Sequence, residues 1–226
     1  MKVEKAYILT IDTELSQRYL VDAIVSCERM RFPWDEFRGF HDISDTEALE
    51  KIGLHSTIPI WRDGNIGGRL SMIGHMGIIK QIWERKECAV ILEHDAVMVQ
   101  PVTVDIPHGQ IVVLGYKLKD IQSYDAKSAG LPKRLISIDG HEGAHAYAIT
   151  WKTARMILDE FEEMGIRSWG VDNHYFLKER DTYTKIPMSI TDPISALGWV
   201  RESTIWDEAV EINYEFIDSF KNNLDS

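Results

Sequence analysis

The chain has 226 residues, 44% of them hydrophobic and 27% charged, a composition that builds one substantial core and excludes a disordered chain. With 25 Lys and Arg against 36 Asp and Glu, its net charge is −11, which argues against a general DNA- or RNA-coating surface. No apolar run approaches the roughly 20 residues that cross a bilayer.

Met1 to Leu9 reads as the approach to a strand rather than a secretory signal, because a long apolar core and a small-residue cleavage site are missing. Ala6 to Ile11 is the first predicted strand. Asp12 and Thr13 then cap a helix whose apolar positions, Leu15, Tyr19, Leu20, Ala23, Ile24, Cys27 and Met30, recur at helical spacing. Residues 31–70 are mixed. Phe32-Pro33-Trp34 breaks the pattern, a short helix is expected over Thr46 to Ile52, and Gly64 to Gly68 reads as a flexible turn. A second long helix is predicted over Met72 to Arg85. The continuous apolar run Cys88-Ala89-Val90-Ile91-Leu92 predicts a central strand covered on both faces.

Val97 to Val99 and Gln110 to Leu114 are the next extended pieces, followed by a loop region over 116–141. Ala144 to Ile149 predicts a strand. Thr150 caps a helix with the stripe Ala154, Ile157, Leu158, Phe161 and Met164, and Gly165 stops it. Val171 to Leu177 is expected to be helical, Thr184 to Ile190 an edge strand containing Pro187, and 213–226 a polar tail. Strands alternate with helices, so the predicted fold class is α/β: a single domain with a mainly parallel, Rossmann-like sheet flanked by helices. Cys27 and Cys88 lack ligand spacing and read as core thiols in a reducing compartment, consistent with a cytoplasmic protein.

Chemistry concentrates at Glu93-His94-Asp95, where the central strand ends. A carboxylate is costly inside a sheet, but at the carboxyl end of a parallel strand it faces the crevice where α/β folds bind ligands. In an extended backbone Glu93 and Asp95 point to one side and His94 to the other. Two convergent carboxylates suit a hard cation, Mg2+ or Mn2+, of the kind that holds a diphosphate. The structural alternative is a solvated turn after a buried strand.

Several blocks together resemble the family 25 glycosyltransferases, which include bacterial lipopolysaccharide sugar transferases. Tyr7-Ile8-Leu9-Thr10-Ile11-Asp12 followed by Arg18 is similar to the family's opening strand. Ile73-Gly74-His75-Met76-Gly77 resembles its Ser-His stretch, with Gly74 in place of Ser. Ile91-Leu92-Glu93-His94-Asp95 resembles the strand that ends in Glu-Asp-Asp, with His94 in place of the middle acid. Gly143 to Thr150, Val171-Asp172-Asn173, and Pro193 with Ser203-Thr204-Ile205 resemble later blocks, in family order.

The resemblance implies a GT-A domain spanning 1–226, with a nucleotide-sugar half over about 1–115 and an acceptor half over about 116–212. It implies an inverting, metal-dependent transfer of glucose or galactose from a UDP-sugar to a glycan, lipopolysaccharide or protein hydroxyl. Asp172 would be the general base, although it equally fits a helix cap. Asp12, Arg18, His75 and Glu93 would contact the donor. Glu93 and Asp95 would hold Mn2+ or Mg2+, with His145 and His174 as candidate third ligands; either is otherwise an ordinary half-buried histidine. Two other classes fit the same acids: a metal-dependent phosphohydrolase, and a non-catalytic nucleotide-sugar or carbohydrate-binding module.

Overall fold

The computed structural model describes residues 1–55, 66–98, 102, 104–116, 135–138, 144–165 and 186–196. The chain forms an α/β domain, and its described residues place eight strands in one sheet with helices on both faces. Strand β1 (Lys5–Thr10) leads into α1 (Glu14–Arg29), whose N-cap Thr13 accepts a hydrogen bond from the Ser16 amide. Strand β2 (Trp34–Arg38) and the short helix α2 (Asp45–Lys51, capped by Ser44) precede the long helix α3 (Ile66–Arg85). Then come β3 (Cys88–Glu93), β4 (Val97–Met98), β5 (Ile111–Tyr116), β6 (Ile136–Ile138) and β7 (Ala146–Thr150). Helix α4 (Trp151–Met164) and β8 (Met188–Ala196) complete the described elements. Thr150 caps α4, and Gly165 ends it at φ 68°, a left-handed conformation open to glycine.

The strand order is β2-β1-β3-β7-β5-β8-β4, with β6 also paired to β8. The sheet is mixed rather than mainly parallel. β1 runs parallel to β2 and β3, and β5 to β8, but β7 enters reversed between β3 and β5. A buried strand reads as the same continuous apolar run whichever way it points, so periodicity carries no direction. Among the described residues, the 31–70 region holds a strand, β2, that the mixed composition hid. Its Asp35, Glu36 and Arg38 fit a strand paired only to β1. The predicted turn at Gly64–Gly68 lies partly outside the described residues, and Gly67 and Gly68 belong to the first turn of α3. Pro187 precedes β8 instead of lying within it. β8 is no edge strand, since it pairs with β5 on one side and with β4 and β6 on the other. Pro193, which lacks an N–H, falls where the β5–β8 register shifts.

Strand alternation divides the interior into two cores. Tyr7, Leu9, Ala89, Ile91, Tyr147 and Ile149 face α3 and α4. Ala6, Ile8, Val90, Leu92, Ala146 and Ala148 face the other way, onto Leu20, Ala23 and Cys27 of α1. The odd-numbered side of β3 therefore looks at α3 and the even-numbered side at α1. This parity sets the direction of the residues that follow.

Candidate functional site

Glu93 is the last residue of β3 and keeps its parity, so its side chain points toward α3. There His75 Nε2 lies 3.2 Å from Glu93 Oε1. The partners come from three elements that sequence separation conceals. β1 ends beside β3, with Leu9 opposite Glu93, and the antiparallel β7 begins there, so the Glu93 amide donates to the His145 carbonyl at 2.9 Å. His75 lies in the middle of α3 rather than in its first turn. Tyr147, on the α3 side of β7, places its hydroxyl 2.9 Å from His75 Nδ1, and the two rings stack with centroids 5.7 Å apart.

The proton positions follow from the partners. An ionised carboxylate only accepts, so His75 Nε2 donates to Glu93. Nδ1 pairs with the Tyr147 hydroxyl, which can donate or accept. Burial alone would raise the Glu93 pKa, but the hydrogen bond and charge of His75, with His145 and His94 nearby, outweigh it and hold the carboxyl down at about 2. Glu93 is therefore an anion at any physiological pH. Its side chain keeps 29% of its surface exposed, whereas His75 has none.

His94 goes the opposite way, as its parity requires. It stacks on Tyr19 of α1 with centroids 6.1 Å apart and donates to the Leu9 carbonyl. Burial lowers its pKa, although the Glu93 charge and that carbonyl pull upward. The backbone turns directly after Glu93, with the Ala96 amide donating to the Glu93 carbonyl at 2.9 Å. The strand alternation expected to align Glu93 with Asp95 thus stops at Glu93. Asp95 follows in the turn, half-buried.

The remaining predicted residues divide by location. Asp12 lies exposed just past the end of β1, at the same end of the sheet as Glu93. Arg18 is exposed on α1, its guanidinium 5.5 Å from the Tyr19 ring centroid. His145 is buried at the start of β7, next to Glu93. His75 makes contacts of its own inside the protein through both ring nitrogens and has no surface with which to touch a donor, so direct donor contact does not suit its position. Asp172 and His174 lie outside the described residues, as do the predicted helix 171–177 and the tail 213–226. Tyr147 was legible only as a core aromatic; its one sequence signal is a hydroxyl in the buried middle of a strand.

Among the described residues, no group of three His, Cys, Asp or Glu side chains is set to hold a metal ion. The donor chemistry nevertheless suits a hard cation of the magnesium type. Such ions commonly take one or two carboxylates and complete their shell with water and substrate phosphate. The ionised, partly exposed Glu93 and the neighbouring Asp95 are the oxygen donors on offer.

No family model and no curated protein matches the chain. Among solved structures, it is similar to the apo-form glycosyltransferase GlyE of Streptococcus pneumoniae TIGR4, at 10% identity and a TM-score of 0.49. That likeness covers 97% of this chain and 60% of GlyE, so the chain spans about three fifths of that protein's length. It is also similar to a glycosyltransferase involved in glycosylation of the major capsid of PBCV-1, at 8% identity and a TM-score of 0.43, over 96% of this chain and 99% of that one. An active-site mutant of LgtC gives 10% identity and a TM-score of 0.42, over 97% and 95% of the two chains.

Proposed function

We propose that this chain is a glycosyltransferase that moves a hexose, glucose or galactose, from a UDP-sugar to a hydroxyl of a glycan, lipopolysaccharide or protein acceptor, with inversion at the anomeric carbon. The observation that carries the reading is the ionised carboxylate of Glu93, held at the carboxyl end of the central strand and followed at once by Asp95. Fixed anionic oxygens at this end of an α/β sheet are what a cation-held diphosphate requires. The ordered resemblance of the sequence blocks to the family 25 glycosyltransferases supports the choice of reaction.

In this reading Glu93 and Asp95 hold Mn2+ or Mg2+, which when bound neutralises charge on the diphosphate leaving group. Asp12, exposed beyond β1, takes the nucleoside side of the donor, and Arg18 the phosphate side. Asp172 accepts the proton of the acceptor hydroxyl as its oxygen attacks the anomeric carbon from the face opposite the diphosphate. The new bond is carbon–oxygen, the broken one is the sugar–phosphate bond, and UDP leaves with the electron pair.

Incubation with UDP-glucose or UDP-galactose and Mn2+ tests the reading. Slow release of UDP and transfer to a glycan acceptor are expected. The double variant Glu93→Gln, Asp95→Asn is expected to lose at least about 100-fold of this turnover, as when preorganised charge stabilisation is removed. Turnover unchanged in the double variant refutes the assignment. Consumption of nucleoside monophosphates instead would favour a phosphohydrolase, and Mn2+-dependent UDP binding without turnover a binding module.

A further inference from the structure

We propose that His75 and Tyr147 are positioning residues that preset the Glu93 carboxylate as the anionic ligand for the donor's divalent cation, a proposal that rests on the transferase reading above. The hydrogen bonds run in one line from the core to the edge of the sheet. The Tyr147 hydroxyl is hydrogen-bonded to His75 Nδ1 at 2.9 Å, and His75 Nε2 donates to the acceptor-only Glu93 carboxylate at 3.2 Å. The two inner members are buried, and only the last is partly exposed.

A histidine buried merely for packing needs any partner for its ring nitrogens. His75 instead directs one nitrogen at a carboxylate that faces out of the core and makes that nitrogen a donor, and the other at a hydroxyl that can meet it in either role. A free glutamate side chain samples many rotamers, and a bond from a rigid, buried donor removes most of them before any ligand arrives. An outer partner of this kind orients a metal-binding carboxylate and tunes its charge.

The backbone of α3 is built to hold His75 at this depth. A Cβ on Gly74 would come within 2.9 Å of Leu9 Cδ1, and one on Gly77 would overlap the Phe37 ring, so the helix presses onto β1 and β2 through glycine. His75, next to Gly74, then faces Glu93 of β3 and Tyr147 of β7. The ring stack on Tyr147 fixes the imidazole plane.

Two measurements test the proposal on the intact protein. Histidine-selective 15N NMR without ligand is expected to show a proton on His75 Nε2, and an Nδ1 signal that moves in Tyr147→Phe. A ring without that Nε2 proton overturns the relay. Calorimetry with MnCl2 and UDP is expected to show binding weakened about 10–100-fold in His75→Ala, the usual cost of losing an outer-shell partner. A smaller loss is expected in Tyr147→Phe. His75→Gln keeps an N–H for Glu93 and an oxygen for Tyr147, and is expected to recover most of the affinity. If His75→Ala does not fold, Tyr147→Phe and His75→Gln carry the comparison, with thermal unfolding measured alongside. Wild-type binding that is indifferent to all three variants overturns this proposal alone. No binding of Mn2+ and UDP by the wild type removes the transferase reading, and this proposal with it.

Discussion

A thiol enclosed by apolar side chains resists ionisation, because the thiolate loses its hydration and gains nothing in return. Cys27 and Cys88 are both fully buried free thiols. Burial pushes Cys27 up to about 11 and Cys88 to about 12. Burial also raises Tyr7 to about 12, reinforced by its hydrogen bond to Glu87. Each raised pKa stabilises the folded state fully below its ordinary value, 9.0 for the thiols and 10.0 for the phenol, and that stabilisation is lost as pH rises through the folded value. Urea midpoints are therefore expected to fall progressively between pH 9 and 12, where these three groups titrate. At pH 8 neither cysteine is expected to react with a disulfide reagent until the protein unfolds, and both are expected to react in urea. Prompt labelling of either thiol in the folded protein would contradict their burial. The sequence displayed Glu93 plainly, because an acid directly after five apolar residues is conspicuous. It concealed Tyr147, which looks like a core residue, and marked His75 for the donor rather than for Glu93, because only folding brings β7 and α3 to the end of β3.

Helix α3 shows how an element's composition records its packing partner. Glycine in a helix interior costs about 1 kcal/mol relative to alanine, so Gly74 and Gly77 need a reason for being there. The reason is close approach. A Cβ at Gly77 would overlap Phe37 Cζ and stand 3.0 Å from Ile52 Cγ2, so β2 and the end of α2 wall it on two sides. Overpacking typically costs about 1–3 kcal/mol and exceeds the helical gain. Gly77→Ala is expected to lower stability by about 1 kcal/mol, read as a shifted urea midpoint at unchanged slope. A stabilised Gly77→Ala variant would show that Phe37 yields and that the approach is looser. Two other glycines of α3 show what periodicity could not read. Gly67 and Gly68 look like a turn, yet they begin α3, because the buried face of the long helix outweighs local preference. Elements with a clear apolar period and a cap, such as α1 and α4, were legible within a few residues. β2 was not, since a charged strand paired on one side carries no apolar signal, and the edge-strand expectation for β8 rested on Pro187, which precedes the strand instead of lying within it.

In the proposed reading, the sheet order gives the donor site a defined electrostatic problem. β1 and β3 run parallel and end together, so Asp12 past β1 and Glu93 with Asp95 past β3 meet at one end of the domain, in a chain of net charge −11. A nucleoside diphosphate is itself an anion, and it is repelled from such a group of acids unless a cation lies between. Mn2+ and UDP are therefore expected to bind together and only weakly apart. Ligands that bind the folded state alone stabilise it by mass action, by about 2.7 kcal/mol at a concentration about 100 times the dissociation constant. In a domain of this size each kcal/mol moves the melting temperature by about 2–4 °C. The pair is expected to raise Tm by about 5–10 °C, while UDP in EDTA is expected to leave it nearly unchanged. Chelation itself is expected to leave the far-ultraviolet circular dichroism intact, since the described core is closed by apolar packing on both sheet faces and by hydrogen bonds within the protein. An equal Tm rise from UDP in the presence of EDTA would mean that the acids at the end of β3 do not meet the diphosphate through a cation.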